Sequence, residues 1–304
     1  MRETTGRQNE SPMRTRMNPD LIYDVGMYDG RDTAYYLFKG YRVVAIEADP
    51  KLVDDANHQF ATEIADGRLV VVNAVVGPKE GVAQFWVSED KKEWSSVYRS
   101  MAMKQDKKTH AIEVHCVPFR KILEEYGVPY YLKIDIEGSD RYCLRDIDKT
   151  DAPAYLSCEI STISDIVAVH NLGYNRFKCI IQNNFTQLLY RPLTIGQRLI
   201  RRFEKHPALL SQWRQLNRLV ERFSSAGSLE DKRFKRTDDG WTFQVGSSGP
   251  FGEETHGQWQ SFEETVHAWL SVQLGYTIAG QLGRGAWHDL HAKKEDTSHG
   301  HDAK

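Results

Sequence analysis

Leu21-Ile-Tyr-Asp-Val-Gly-Met-Tyr-Asp-Gly30 is the stretch whose reading decides the fold class. The run Leu21–Val25 has the apolar character of a short strand, and it ends in a turn with two glycines, Gly26 and Gly30. Asp32–Lys39 follows as a helix with Asp32 as its N-cap. Strand, glycine turn and helix in that order make the first half of a βαβ unit. The same rhythm continues outward. Arg42–Glu47 reads as a strand, Lys51–Ile64 as a helix and Arg68–Val76 as a third strand. Gly81–Val87 and Ala111–Val117 read as further strands around a polar stretch containing Trp94-Ser-Ser96. Phe119–Tyr126 is helical, and Tyr130–Ile134, Tyr155–Ile160, Phe177–Ile181 and Trp241–Val245 complete the strands. The alternation predicts an α/β fold, with a mostly parallel central sheet and helices on both faces.

Residues able to do chemistry collect at the carboxyl ends of those strands, the edge where open α/β sheets bind ligands. In Asp24-Val-Gly-Met-Tyr-Asp-Gly30 the glycines let backbone pass close beneath a ligand, because they have no Cβ. Asp24 suits a cationic amino group and disfavours a pyrophosphate, and the turn departs from Gly-x-Gly-x-x-Gly. A methionine-derived cofactor, with an amino-acid moiety and no phosphate, fits that better than a dinucleotide. Glu47 ends the second strand 21 residues after Gly26, where an acid accepts bonds from both ribose hydroxyls. A dinucleotide would use the same device, so an NAD-dependent oxidoreductase stays open. Asn73 and Ala74, at the third strand end, fall near an adenine by topology. Leu132-Lys-Ile-Asp-Ile-Glu-Gly138 runs a strand into two acids, and Asp135 and Glu137 emerge at the ligand edge. Glu159, in Leu156-Ser-Cys-Glu-Ile160, reaches that edge from the next strand. Carboxylates there would stabilise a sulfonium and take a proton from a nucleophile.

Asp24–Gly30, Glu47-Ala-Asp-Pro50 and above all Leu132–Gly138 resemble the FkbM-type methyltransferase family, over about Leu21 to Gln182. Trp94-Ser-Ser96 and Leu172-Gly-Tyr174 share in the resemblance. It implies a Rossmann-like class I methyltransferase fold, with S-adenosylmethionine as cofactor. By that resemblance Asp24, Gly26, Tyr28, Gly30, Glu47, Ala48, Asn73, Ala74 and Asp135 line the cofactor pocket. Asp135, Glu137 and Glu159 then lie beside the methyl group as the catalytic carboxylates, with Asp135 the expected base. The acceptor implied is a hydroxyl on a sugar, glycolipid or other metabolite. Two departures stand out. Met27 and Tyr28 replace the small polar residues common in the family, and the proline expected soon after Glu47 waits until Pro50.

The bulk numbers narrow the class further. The chain has 304 residues, a net charge of −2, 40% hydrophobic and 27% charged residues, ordinary for a globular protein that binds neither nucleic acid nor membrane by bulk charge. Cys116, Cys143, Cys158 and Cys179 form no Cys-x-x-Cys pair and read as buried free thiols. With no apolar run of about 20 residues and no signal-like start, a cytoplasmic protein is expected. His288 and His291 have ligand-like spacing but no third partner, and no metal is assigned. Residues 1–17 and 293–304 read as tails, 18–190 as the Rossmann-like core and 191–240 as a basic helical insertion. Arg191–Asp239 holds 12 Lys and Arg against 6 Asp and Glu, and Leu209, Trp213, Leu216, Val220 and Phe223 make one apolar helical stripe. The insertion is read as a lid or an interface, so a homo-oligomer and a non-catalytic adaptor for an anionic partner are open as well. Residues 241–292 supply a strand, the glycine-rich loop Gly246–Gly252 and a helix begun by the capping box Ser261-Phe-Glu-Glu264.

Overall fold

Alternation along the first strand divides its side chains between two cores. Leu21, Tyr23 and Val25 enter one, while Ile22 and Asp24 turn to the other face. A computed structural model describes residues 17–103, 108–182, 185–189, 237, 239–244, 246–279 and 287–295. The central sheet is built from β1 (Asn18–Val25), β2 (Arg42–Glu47), β3 (Leu69–Asn73), β7 (Pro129–Ile134), β8 (Tyr155–Glu159), β9 (Arg176–Ile181), β10 (Thr186–Gln187) and β11 (His288–Lys293). Their spatial order is β10-β9-β11-β8-β7-β1-β2-β3. Strands β3, β2, β1, β7 and β8 run parallel, and β11 lies antiparallel between β8 and β9. This is the Rossmann-like α/β architecture that the βαβ rhythm predicts.

Helices α1 (Arg31–Phe38), α2 (Pro50–Gln59) and α3 (Ala61–Ala65) follow β1 and β2, and α1 and α2 bury Tyr35, Tyr36, Ala56 and the neighbouring Phe60 on one face. Helices α5 (Phe119–Tyr126), α6 (Asp140–Asp146), α7 (Ile163–Asn171) and α8 (Phe262–Ala279) cover the other with Phe119, Cys143, Ile166 and Trp269. A second sheet, β4 (Val75–Val76), β6 (Thr109–Val117) and β5 (Gly81–Ser88), stands beside the first, with the short α4 (Arg99–Ala102) in the connection. Among the described residues no helix is long and apolar enough to cross a membrane.

Several elements differ from expectation. Asp32 does not cap α1. It sits inside the first turn, and both its carboxylate oxygens accept the Ser248 N–H at 3.1 Å. The run Arg68–Val76 divides, because Val75–Val76 leaves the main sheet to pair with β6. Trp241–Gln244 forms no strand of either sheet. Its rings pack on α1 instead, Trp241 at 5.6 Å and Phe243 at 4.6 Å from the Tyr35 ring. The last strand of the sheet is His288–Lys293, so the chain from Lys293 to Glu295 is bound structure and not tail. The capping box holds, with Ser261 N on Glu264 Oε2 at 2.8 Å and Glu264 N on Ser261 Oγ at 3.2 Å, and its helix runs on to Ala279. The basic insertion lies outside the described residues except for Thr237, Asp239 and Gly240.

Candidate active site

The strand order reverses between β1 and β7, whose following helices depart to opposite faces. A sheet of this kind opens a crevice at such a switch point, beyond the carboxyl ends of the strands. Here the crevice is a cavity of about 450 Å³. Gly26 and Asp135 form its floor. Asp135 N donates to Val25 O at 2.9 Å, and a Cβ on Gly26 would lie 1.8 Å from the Asp135 carbonyl oxygen. With φ at +85° as well, the position admits only glycine.

Glu47 marks one end of the cavity. It is 8% exposed, and its carboxylate accepts the N–H groups of Tyr28 at 2.8 Å and Asp49 at 2.9 Å. Burial pushes its pKa up to about 7, against the pull of those two bonds toward the charged form. Ile46, Ala48, Leu52, Ala74, Val75 and Phe85 extend this end as an apolar slot. Asp135, Glu137 and Glu159 mark the other end, with Trp94 and Trp287 at its edge, their rings perpendicular and 6.5 Å apart.

Backbone geometry singles out the same turns. Tyr28 at φ +55° and Glu137 at φ +48° are non-glycine residues in the left-handed region, one on each side of the crevice. Such strain persists where the surroundings enforce it. Glu47 holds the Tyr28 N–H, and Ser96 Oγ donates to the Glu137 carbonyl at 2.9 Å. The Trp94-Ser-Ser96 segment thus ties the second sheet to the turn after β7.

Of the residues expected in the site, Gly26, Tyr28, Glu47, Ala48, Ala74, Asp135, Glu137 and Glu159 line the cavity. Asp24, Gly30 and Asn73 do not. Asp24 is fully buried beneath the turn, 3.0 Å from Lys133 Nζ and bonded by Thr33 Oγ1 at 2.7 Å. Gly30 backs onto Phe60, whose ring a Cβ would approach to 2.6 Å. Asn73 is exposed, and its amide donates to the carbonyls of Glu47 and Ala48 at 2.9 and 3.1 Å, which braces the end of β2. His288 and His291, three apart on a strand, point to opposite faces and cannot converge on one ion.

The structure adds Lys133, Asp32, Gln182 and Trp287 to the cavity wall. Lys133 pairs in register with Asp24 across β7 and β1. Burial opposes its charge, but Asp24, Asp135 and Asp32 outweigh that and hold its pKa above the ordinary lysine value. Its ammonium also donates to the Gly26 carbonyl at 2.7 Å, which locks the glycine turn to β7. A lysine inside an apolar strand signals a buried partner, so Lys133 was recognisable in Leu132-Lys-Ile-Asp-Ile-Glu-Gly138. Trp287 carries no such signal, since only the sheet brings it there. Gly246 and Ser248 anchor the glycine-rich loop against Asp32 and Arg31 at the cavity's side.

A mostly parallel α/β sheet with a carboxylate-lined crevice at its switch point defines a protein of Rossmann-like fold. The family model described as the methyltransferase FkbM domain matches residues 24–183, which span every strand end of that crevice except β11. The chain belongs to the FkbM methyltransferase domain family. No curated protein matches it. Among solved structures it is similar to precorrin-6y C5,15-methyltransferase from Geobacter metallireducens GS-15, at 12% identity and a TM-score of 0.29, over 55% of this chain and 69% of that one. That likeness is too faint to bear on fold or function.

Proposed function

We infer that the protein transfers a methyl group from S-adenosylmethionine to a hydroxyl of an acceptor held in this cavity. One observation carries the reading: Glu47 shares one cavity with Asp135 and Glu137, two strands away across Gly26, and with Glu159 one strand further. Two strand spacings are about 10 Å, the scale of a nucleoside lying across the crevice.

The residues fit such a cofactor. A carboxylate has about four acceptor sites, so Glu47 keeps capacity for ribose hydroxyls beside its two backbone bonds. The apolar slot beyond it suits an adenine, and the carboxylates opposite suit a positive charge and oppose a phosphate. Asp135, with 31% of its side chain exposed, faces the cavity where Asp24 is buried beneath it. When bound, S-adenosylmethionine supplies a methyl group already activated by positive sulfur. The chain's own part is alignment and exclusion of water, achieved by the rigid turns at Tyr28 and Glu137. An alcohol must also lose its proton, and Asp135, with Glu137 and Glu159 beside it, accepts it. The perpendicular Trp94 and Trp287 rings offer apolar faces for a sugar or small metabolite at the mouth.

Calorimetry with S-adenosylhomocysteine and with NAD⁺ tests the assignment. The homocysteine compound binds and NAD⁺ does not, and Glu47→Ala weakens binding at least ~10-fold, about 1.4 kcal/mol. On an acceptor found by screening, Asp135→Asn lowers turnover ~10²–10⁴-fold while cofactor affinity moves only a few-fold. Preference for NAD⁺, or Glu47→Ala titrating like wild type, overturns the reading.

A further inference from the structure

One end of the cavity gathers carboxyl groups from three strands of the sheet. One oxygen from each of Asp135, Glu137 and Glu159 lies within 4.8 Å of the other two. The three come from the turn after β7 and the end of β8, so the sheet assembles them and not adjacency in sequence. Strand β11 then sets Asp289 directly opposite Glu159 in an antiparallel pair, which puts both side chains on one face. Asp289 is 4% exposed. Its Oδ1 accepts the Gln182 amide at 2.9 Å, while its buried Oδ2 meets no hydrogen-bond donor among the described residues. A buried acceptor without a donor costs free energy that a cation would recover. Lys133 is committed elsewhere, at 2.7 Å from the Gly26 carbonyl and 3.0 Å from Asp24, and approaches Asp135 only to 4.0 Å.

We propose that Asp135, Glu137 and Glu159 form a binding site for a divalent cation, with the buried Asp289 carboxyl beside them. Carboxylate oxygens without nitrogen or sulfur select a hard ion such as Mg²⁺, Mn²⁺ or Ca²⁺. Opposed oxygen ligands stand about 4.6–5.2 Å apart on Ca²⁺ and about 4.0–4.2 Å on Mg²⁺. The three oxygens lie within 4.8 Å of one another, close enough to share one such ion. Three protein ligands leave coordination positions toward the cavity, where an acceptor oxygen is held and its hydroxyl made more acidic. That use of the cation rests on the methyl-transfer reading, whereas its binding does not.

The test is a Mn²⁺ titration of the whole chain without cofactor, followed by electron paramagnetic resonance, with S-adenosylhomocysteine calorimetry run on the same samples. A single Mn²⁺ binds and is displaced by Mg²⁺ or Ca²⁺. Glu159→Gln weakens it at least ~10-fold, and Asp289→Asn, acting from outside the ligand set, by about the same factor or less. Asp55→Asn, an exposed carboxylate on α2, leaves binding unchanged. Should Glu159→Gln fail to fold, Glu137→Gln is read in its place. No bound Mn²⁺, or equal affinity in wild type and the cluster variant, overturns the cation site. The calorimetry then reports separately on the methyl-donor reading, so the two failures are distinguishable.

Discussion

At the end of β2, burial pushes the Glu47 carboxyl up to about 7, while the N–H groups of Asp49 and Tyr28 pull it toward the ionised form. Ribose hydroxyls donate to the ionised carboxylate, so below pH 7 a bound proton must leave before the nucleoside is held. The affinity for S-adenosylhomocysteine therefore falls by roughly tenfold from pH 8 to pH 6, the loss expected when one group near 7 must ionise. Glu47→Gln binds more weakly and has a flat profile over that range. A variant that keeps the wild-type slope would assign the titration to another group. Glu47, Asp135, Glu137 and Glu159 were legible in the sequence because each is an acid at the end of an apolar run. Asp24 shares that signature but lies buried beneath the turn, outside the cavity lining. What separated it from Glu47 was the Lys133 partner on the neighbouring strand, a pairing that depends on register and not on local pattern.

Among the elements, β11 shows most clearly where pattern reading stops. His288-Asp-Leu-His-Ala-Lys293 has no β-branched residue and three kinds of charged or titratable side chain, so nothing local marks it as a strand. It is a strand because β8 and β9 offer it two ladders, and Leu290 sits fully buried opposite Cys158 and Cys179. The converse holds for Trp241–Gln244, whose aromatics look like strand residues but find their burial against α1. The parallel strands β1, β2, β7 and β8 were readable because burial on both faces demands continuous apolar runs. If β11 is integral to the sheet, Leu290→Ala lowers stability by about 2–5 kcal/mol, as for other fully buried leucines. Urea unfolding would show this as an earlier midpoint with an unchanged slope. A loss under about 0.5 kcal/mol, the range of surface changes, would mean that β11 is peripheral to the core.

Across the whole molecule, the cavity is where two assemblies meet. The central sheet supplies Gly26, Glu47, Asp135 and Glu159 from four adjacent strands. The smaller sheet supplies Phe85 and, through Ser96 on the Glu137 carbonyl, fixes the turn that carries an acid of the trio. The sequence pattern foretold most strands of both sheets but not their docking, since Ser96 and Glu137 are 41 residues apart. The account stands on one placement, a nucleoside lying from Glu47 to the Asp135 cluster. A crystal structure of the complex with S-adenosylhomocysteine measures it directly. The ribose hydroxyls are expected within hydrogen-bond distance of the Glu47 carboxylate, the adenine beside Ala48 and Ala74, and the sulfur facing Asp135, Glu137 and Glu159. A nucleoside bound elsewhere, or in this cavity with its ribose away from Glu47, would contradict it.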